Sequence, residues 1–451
     1  MYKKLSSNKI LSSISTLIGG TFIAQLIAIG ALPFLTRLYS PDDFSVLAFF
    51  LSILILVSSF AGLRYEVAVP NADNDKSAFS LVVISIISAF FISIIVFFAA
   101  AIIEILNLKY SNVNLGNGIW LLPLAIFLTA TCTSLQYWFS RKKNFGIVAK
   151  NRIAQVSSSV TVQLLCGYFY IGYLGLIIGQ IFNGGGGLIY LIKNISAEAS
   201  KYLRILKFNE LRAEFHKNIS YVKYSTPETI ANNGAVHIPI LIMSFYADSA
   251  EIGFLFLAMR VIQIPMGILV GAVSQVYYVH SKEKEESGVL TEFTANTLIN
   301  IIKFGVGPIL FFGFIAPFLI KIIFGDEWIR TGYIIQWLLA WFVFQTLASP
   351  ISMIMYTKEK QKEMLYLTSF GFLLRVISIW YAALYFPDFL IEVYSISGAI
   401  FYLVCLFVFM NTAKLNYSDL IFIIKKSFAT LIFWIAGLIF VLSFLFFMGL
   451  I

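Results

Sequence analysis

The sequence has little charge and few of the residues with which enzymes carry out chemistry. Only 12% of its 451 residues are charged, about half the share of a soluble domain. Its three histidines, His216, His237 and His280, are scattered, and the sequence contains no nucleotide-binding loop, metal-binding cluster or catalytic triad. We therefore expect a protein that is not an enzyme and that has no catalytic residues, no metal site and no cofactor.

Cysteine is also scarce, with three residues in the chain. Cys132, Cys166 and Cys405 all fall inside apolar runs, which excludes a disulfide framework. The amino terminus is basic and then apolar, as in a signal peptide, but it lacks a clear cleavage site and continues through a full apolar run. These features predict an uncleaved first helix in a plasma membrane, most simply the inner membrane of a bacterium.

Hydrophobic residues dominate, with a share of 59%, 44 phenylalanines and a mean hydropathy of +0.86. Apolar runs of about 20 residues, the length that crosses a bilayer, recur along the whole chain. Such runs are too long for barrel strands, so the fold class is an all-α polytopic membrane protein with twelve or thirteen spans. The thirteen predicted spans are 14–37, 44–69, 78–103, 119–139, 151–171, 174–193, 221–246, 251–279, 297–323, 331–356, 364–386, 391–411 and 428–450.

Lysine and arginine are placed asymmetrically between the loops. With a cytoplasmic amino terminus, the inner segments hold 26 of the 32 basic residues and the outer segments hold four, while Arg260 and Arg375 lie at mid-membrane. This asymmetry follows the positive-inside rule and predicts the orientation. The formal net charge of +9 is therefore a topology signal, and we expect no nucleic-acid partner.

The longest polar segment, 194–220, predicts a short amphipathic helix on the cytoplasmic surface, with a plain linker as the alternative. It separates an N-terminal half of six spans (1–193) from a C-terminal half of six spans (221–411). Residues 412–451 are then an interfacial segment and an extra span.

A weak internal repeat supports two halves. "YSPDDFSVLAFFLS", at the start of the second span, resembles "YADSAEIGFLFLAMR", at the start of the eighth, and Ser45 matches Gly253 at an offset of 208. Both spans cross in the same direction, which is typical of the parallel repeats of alternating-access transporters. Chance similarity between apolar helix starts is the alternative.

Cationic side chains inside spans are the clearest candidates for a binding site, because such residues usually face a bundle interior or a water-filled cavity. Arg260 and Arg375 lie deep in the eighth and eleventh spans, and Arg64 lies five residues from the end of the second. Arg37 and Lys303 are weaker cases. Alternatives are an ion pair for the deep arginines and snorkelling to headgroups for Arg64. Guanidinium groups bind phosphates in a bidentate manner, so these residues favour an anionic, lipid-borne substrate.

Two acids are candidates for ion coupling or gating. Glu66 follows Arg64 by two positions, so on one helix their side chains would point to different faces and would not neutralise each other. Glu228 lies about two turns into the seventh span. A carboxyl group in an apolar site can exchange a proton as the site opens, although a basic neighbour could instead keep Glu66 ionised.

Amides are candidates for contacts to sugar hydroxyls in a polar cavity. They include Gln25, Asn232 and Asn233, and hydrogen bonding between helices is the alternative for each.

Six stretches, in order along the first ten spans, carry a family resemblance: "GGTFIAQLIAIGALPFLTRLYSPDDF" at 19–44, "GLRYEVAVP" at 62–70, "YWFSRKKNFGIVAKNRI" at 137–153, "LGLIIGQIF" at 174–182, "RVIQIPMGILVGAVSQVYY" at 260–278 and "IFGDEWIRTGY" at 323–333. Together they resemble the Wzx-type polysaccharide repeat-unit flippases of the multidrug/oligosaccharidyl-lipid/polysaccharide (MOP) exporter superfamily. Ser45 replaces the family's usual glycine, and a thirteenth span exceeds its twelve-helix core.

The resemblance implies two six-helix lobes in a V and alternating access around a cationic cavity. It implies a polyprenyl-pyrophosphate-linked oligosaccharide as cargo, from O-antigen, capsule or exopolysaccharide synthesis. On this basis Arg64, Arg260 and Arg375 would hold pyrophosphate or acidic sugars, and Glu66 or Glu228 would couple ion movement. Membrane lipids, a polysaccharide polymerase and chain-length proteins would be partners.

Three other functions stay open. A multidrug antiporter of the same superfamily should favour acids over arginines in its cavity. A membrane-embedded polymerase or glycosyltransferase should carry a large outer loop or an acidic metal-binding motif, and neither is present in the sequence. A scaffold for assembly proteins would make buried arginines a costly feature.

Overall fold

The structure, a computed structural model, describes residues 2–106, 112–113 and 115–447. Within these ranges all regular structure is helical and no strand occurs, so the all-α prediction is confirmed. The centre of the predicted outer loop 104–118, with Lys109, and the last residues of the predicted final span lie outside the described residues.

The chain forms two compact units, Met1–Gly253 (unit 1) and Phe254–Ile451 (unit 2). The predicted division into halves lies earlier, at 194–220, and the two lobes remain a prediction. Unit 1 contains α1 (Tyr2–Leu38), α2 (Pro41–Ala61), α3 (Tyr65–Ala68), α4 (Asp75–Ile105), α5 (Leu122–Arg141), α6 (Phe145–Tyr168), α7 (Tyr173–Ile205), α8 (Phe208–Lys217) and α9 (Thr226–Tyr246).

The division between the units falls within α10 (Ser249–Glu286). Unit 2 continues with α11 (Leu290–Ile301), α12 (Gly307–Phe314), α13 (Ala316–Phe324), α14 (Ile329–Ile351), α15 (Ile354–Thr357), α16 (Gln361–Tyr385), α17 (Leu390–Thr412) and α18 (Tyr417–Phe447). Single π-helical turns, Tyr221–Ser225 and Ile302–Val306, precede α9 and α12.

Eleven helices in the described part of the chain are long and apolar enough to cross a membrane, and they correspond to eleven of the thirteen predicted spans. The chain is therefore a multi-pass membrane protein. The other two predicted spans are the helices α6 and α9, which have 24 and 21 residues but are more polar. That these two also cross the bilayer remains a prediction.

Two predicted spans are shorter than expected. The predicted span 44–69 ends at Ala61, where the chain leaves the helix at Gly62. The predicted span 297–323 is interrupted at Ile315, so its last residues form the separate helix α13. Hydropathy overestimates both lengths because the residues after each break are still apolar.

The predicted linker helix is in part a continuation of α7, which extends to Ile205 before α8 begins. Helix α8 packs against the connection between α3 and α4. The Tyr65 hydroxyl donates to the Phe215 carbonyl at 3.0 Å, Lys76 pairs with Glu210 at 2.6 Å, and Lys217 pairs with Asp73. The Lys76 ammonium holds the pKa of the Glu210 carboxyl below its ordinary value.

Glycines in α7 allow close packing against α6. A Cβ at Gly187 would meet Gln155, and one at Gly179 would meet Gln163. Helix α7 continues without a break through Gly184–Gly187, as expected for glycines that serve helix packing.

The helix starts that carry the internal repeat lie together within unit 1. Helix α2 begins at Pro41 and α10 begins at Ser249, which is an offset of 208. The Ser45 hydroxyl is 2.6 Å from that of Ser249, while Gly253 lies so close to the Pro41 carbonyl that a Cβ would overlap it. The offset of 208 relates Ser45 to Gly253 and Pro41 to Ser249. The Ser45–Ser249 contact and the Gly253–Pro41 contact therefore join equivalent pairs of positions.

Candidate functional site

The stretch after α2 is a strained turn and not the continuation of a span. Leu63 and Arg64 both have left-handed backbone conformations, with φ of 51° and 62°. Such values are unfavourable for residues with a Cβ, and the strain they carry tends to occur at functional sites. The side chains of Arg64 and Glu66 therefore lie outside the helical span, contrary to the prediction.

The turn also brings Arg64 and Glu66 together. Arg64 Nη1 lies 3.5 Å from Glu66 Oε1, so the two side chains form an ion pair. The prediction that they point to different faces was wrong, because it assumed one continuous helix, whereas Arg64 precedes the first residue of α3. The structure thus places a basic neighbour beside Glu66, as the alternative interpretation requires, while the state of charge of Glu66 remains a prediction.

Glu66 is buried, with 5% of its surface exposed. Its second oxygen, Oε2, accepts a hydrogen bond from Ser85 Oγ at 3.3 Å, and Ser85 Oγ is 2.8 Å from Ser134 Oγ. Gly62 leaves the space that the carboxylate occupies, because a Cβ there would lie 2.5 Å from Glu66 Oε2 and closer still to Ser85 Oγ. Three helical segments thus enclose the carboxyl group.

Burial raises the pKa of Glu66 above its ordinary value, while the Arg64 guanidinium and the Ser85 hydroxyl act in the opposite direction. The net direction is upward because desolvation is the largest of these effects. Glu66 can therefore gain a proton at a higher pH than an exposed glutamate, which is the property required of a proton-coupling group.

Arg64 connects this turn to the start of α9. Its Nε donates to Ser225 Oγ at 3.4 Å, and 23% of its side chain is exposed. Glu228 follows Ser225 by three residues, and Asn232 lies one turn further along the same face. Both are exposed, whereas Asn233 is half-buried. The structure thus gathers Arg64, Glu66, Glu228 and Asn232 at one end of the α2–α9 pair.

Two other predicted residues of unit 1 lie elsewhere. Arg37 is exposed in the last turn of α1, where α2 begins. The 21 residues of α2 separate it from Arg64 by about 30 Å, so the two arginines do not form one site. Gln25 is half-buried on α1.

The cationic residues predicted in unit 2 have different surroundings from one another. Arg260 is half-buried on α10 and lies over Phe256, with its guanidinium carbon 5.1 Å from the ring centroid. Lys303 lies in the π-helical turn Ile302–Val306 and is half-buried. Such turns inside helices often mark functional positions.

Arg375 lies inside unit 2 with 2% of its surface exposed. Its guanidinium carbon is 4.4 Å from the ring centroid of Trp341, 5.2 Å from that of Phe401 and 5.7 Å from that of Tyr402. Gly371 makes room for the Phe401 ring. In this conformation Arg375 offers almost no surface to a substrate, and its cation–π contacts stabilise the packing of α14, α16 and α17.

Sequence reasoning missed Gly62, Ser85, Ser134 and Ser225, which surround the Arg64–Glu66 pair. Serines at 85 and 134 are ordinary in apolar helices, and nothing in the sequence indicates that they meet. Gly62 directly precedes Leu63 and Arg64, which form the turn. It is the one sequence signal from which the end of the span could have been predicted. Among the described residues, no group of three His, Cys, Asp or Glu side chains could hold a metal ion.

Comparison with protein families gives a match over residues 34–333 to a family described as "Polysaccharide biosynthesis protein". The match covers about two thirds of the chain. The chain belongs to this family. The matched range includes the Arg64–Glu66 turn, α9 and the deep Arg260. Comparison with curated proteins gives no significant match.

Several solved transporters and flippases have the same fold. One is the lipid II flippase MurJ in an inward closed conformation, with a TM-score of 0.68, 14% identity, and coverage of 93% of this chain and 91% of MurJ. A second is the MATE multidrug transporter DinF-BH, with a TM-score of 0.61, 13% identity and coverage of 88% of this chain and 93% of DinF-BH.

A third solved structure is a MOP superfamily transporter from Pyrococcus furiosus, with a TM-score of 0.57, 11% identity and coverage of 89% of this chain and 96% of that transporter. At these identities the likeness concerns the fold. Together with the family match, it confirms the predicted resemblance to MOP-type flippases.

Proposed function

We propose that this protein moves a polyprenyl-pyrophosphate-linked oligosaccharide from the cytoplasmic to the outer leaflet by alternating access, coupled to a proton or another cation. The proposal places the protein in a bacterial inner membrane with its amino terminus in the cytoplasm. The cargo crosses unchanged, so the proposal includes no chemical step. Membership of a polysaccharide biosynthesis family on a flippase and transporter fold supports the class of function.

The observation that carries the proposal is the accessible Arg64 guanidinium within that family match. Arg64 is fixed from one side by Glu66 and from another by Ser225, and it still exposes part of its surface. A guanidinium prearranged in this way can donate to a pyrophosphate oxygen with little loss of side-chain entropy. Asn232, exposed further along α9, can donate to sugar hydroxyls.

A multidrug antiporter is the second candidate, and the exposed carboxyl of Glu228 on α9 favours it, since a cationic drug would pair with an acid. The two candidates differ in the charge of the cargo. One transport experiment therefore separates them.

The test uses proteoliposomes with a polyprenyl-pyrophosphate oligosaccharide in the inner leaflet and an impermeant glycan-cleaving enzyme outside. We expect cleavage to accelerate with the wild-type protein and an imposed pH gradient, and Arg64→Ala to slow it at least tenfold. A lost charge-assisted hydrogen bond of about 1.5–3 kcal/mol gives a change of this size. Arg37→Ala, which removes an arginine about 30 Å away, is the matched control and should retain transport.

No acceleration with any of several glycans, together with gradient-driven uptake of a cationic dye that Glu228→Gln abolishes, would replace the flippase by the antiporter.

A further inference from the structure

Glu66 lies at one end of a row of hydroxyl groups that connects α4 and α5. Ser85 Oγ is 3.3 Å from Glu66 Oε2 and 2.8 Å from Ser134 Oγ, and Ser134 Oγ donates to the Ala130 carbonyl at 2.9 Å. Ser85 and Ser134 have exposed fractions of 0% and 1%. Solvent does not reach these hydroxyls, so their hydrogen bonds must be satisfied within the row.

The number of protons in this row depends on the state of Glu66. When Glu66 is protonated there are three O–H groups, and each has an acceptor: Glu66 donates to Ser85, Ser85 to Ser134, and Ser134 to Ala130. When Glu66 is ionised only two remain. Ser85 then donates to Glu66, and Ser134 must choose between Ser85 and the Ala130 carbonyl.

We propose that Ser85 and Ser134 are positioning residues for a proton-binding site at Glu66, in a hydroxyl relay that reverses direction when Glu66 ionises. The Ala130 carbonyl, which can only accept, fixes the direction that suits the protonated acid. The function of this row rests on the proposed ion-coupled transport, since a protein that moves no ions has no use for a buried switch of protonation.

The Arg64 guanidinium contacts the other carboxyl oxygen of Glu66, Oε1, and favours the ionised carboxylate. It lies 3.5 Å from Glu66 Oε1, whereas the hydroxyl row meets Oε2. The guanidinium at Oε1 favours the carboxylate, whereas the row at Oε2 can serve either state, because Ser85 can donate to a carboxylate or accept from a carboxylic acid. Small movements of the Gly62–Arg64 turn would shift the protonation equilibrium of Glu66. They change the distance between the Arg64 guanidinium and the Glu66 carboxyl and leave the two serines in place.

Arg64 is the charged side chain that faces Glu66 from the elements packed around it. The others on α4, α5 and the π-helical turn are ion-paired with other residues or exposed, as Glu104 is at the far end of α4. Asp75 pairs with Arg141 and Lys142 and Lys76 pairs with Glu210, while Lys223 is exposed. Asp75 and Lys76 lie about 14 Å or more along α4 from Ser85. The Tyr65 hydroxyl donates to Phe215, and burial raises its pKa to about 12, so it stays neutral.

The test measures protonation of Glu66 directly and needs no cargo. Infrared spectra of the full-length protein in lipid bilayers, taken at stepped pH, report the protonated carboxyl band that Glu66→Gln removes. We expect Ser134→Ala to lower the titration midpoint by about one pH unit, the shift that one ordinary hydrogen bond produces. Without Ser134, Ser85 loses its acceptor and turns its hydrogen to the ionised carboxylate.

Two variants serve as controls. Ser134→Thr keeps the hydroxyl and should keep the wild-type midpoint. Ser80→Ala removes another buried serine that donates to the carbonyl four residues before it, here Lys76, and should not move the midpoint. If Ser85 donated to Glu66 in both states, Ser134→Ala would leave the midpoint unchanged or raise it, and either result would overturn the relay. A Glu66 band absent at every pH would overturn it as well.

The outcomes for the relay and for the transport function can be told apart. If Ser134→Ala lowers the midpoint but the protein flips no oligosaccharide, the proposed proton site is retained and the proposed flippase function is rejected. If the gradient drives flipping but Ser134→Ala does not move the midpoint, the flippase function is retained and the relay is rejected.

Discussion

Arg64 in unit 1 and Arg375 in unit 2 are held in opposite ways. Arg64 lies on a strained turn, pairs with a carboxylate and is partly exposed, whereas Arg375 lies among three aromatic rings and is buried. A carboxylate loses its attraction for an arginine when it binds a proton, but the face of a ring attracts a cation at every pH. The attraction in the first arrangement depends on protonation and that in the second does not, so the same residue type forms a pH-dependent contact in one unit and a pH-independent contact in the other.

The largest expected effect is on stability and comes from Arg375→Ala. This change removes the cation from its rings and leaves a cavity in unit 2, and we expect it to cost about 3 kcal/mol or more of unfolding free energy. Thermal unfolding in detergent measures the loss. Arg64→Ala leaves the buried Glu66 carboxyl without its cation, but Glu66 can then take up a proton, so we expect a smaller loss of about 1–2 kcal/mol.

The comparison of the two arginines would fail if Arg375→Ala kept its thermal stability and lost flipping. Arg375 would then be a substrate contact that another conformation exposes.

A pair of glycine substitutions gives the next effect. Gly62→Ala places a Cβ against Glu66 and Ser85, and Gly398→Ala places one against the indole ring of Trp341. We expect each to destabilise the protein by about 1–3 kcal/mol through overpacking. Only Gly62→Ala should also abolish the dependence of flipping on the pH gradient, because it displaces the proposed proton site.

Flipping rates with and without a gradient, divided by the amount of folded protein, measure this difference. Gly30→Ala is the control, since nothing lies within 4 Å of a Cβ at that position. Loss of gradient dependence in both Gly62→Ala and Gly398→Ala would mean that unit 2 also holds part of the coupling machinery.

The smallest effect concerns α8, which exposed ion pairs connect to the rest of unit 1. The Lys76 ammonium lowers the pKa of Glu210 below its ordinary value of 4.5. The pair therefore stabilises α8 above that value, and its contribution disappears as the pH falls through the lowered pKa. The protection of residues 208–217 from hydrogen exchange, relative to the intrinsic exchange rate at each pH, should therefore decrease slightly on acidification below pH 4.5 and with added salt. In the Lys76→Ala variant, residues 208–217 should already show the lower protection at neutral pH. Their protection should then respond less to acidification and to added salt.

Composition and hydropathy suffice to predict the fold class and eleven spans, because lipid forces long apolar helices whatever their partners. They fail for the end of α2, since "GLRYEVAVP" remains apolar while its backbone turns at Leu63 and Arg64. The charged pair was found from the sequence, but its contact was not, because spacing on an assumed helix gave the wrong geometry.

The surroundings of both arginines depend on residues far away in the chain. Ser134 meets Ser85 across 49 positions, and Trp341 meets Arg375 across 34. Such contacts follow from how helices pack, which one sequence does not reveal. The sequence places Arg375 inside a span, but position in a span alone does not distinguish an open cavity from a ring of aromatic side chains.

The starts of α2 and α10 touch in the manner of a symmetric dimer. Ser45 contacts Ser249 and Gly253 contacts Pro41, and the offset of 208 converts each pair into the other. In a homodimer one patch meets its own copy, so each residue serves both sides at once. In such a dimer a single residue would have to be compatible with both contacts. In one chain each contact has its own residues, so Ser45 can carry a hydroxyl against Ser249 while the matching position, Gly253, approaches Pro41 without a Cβ.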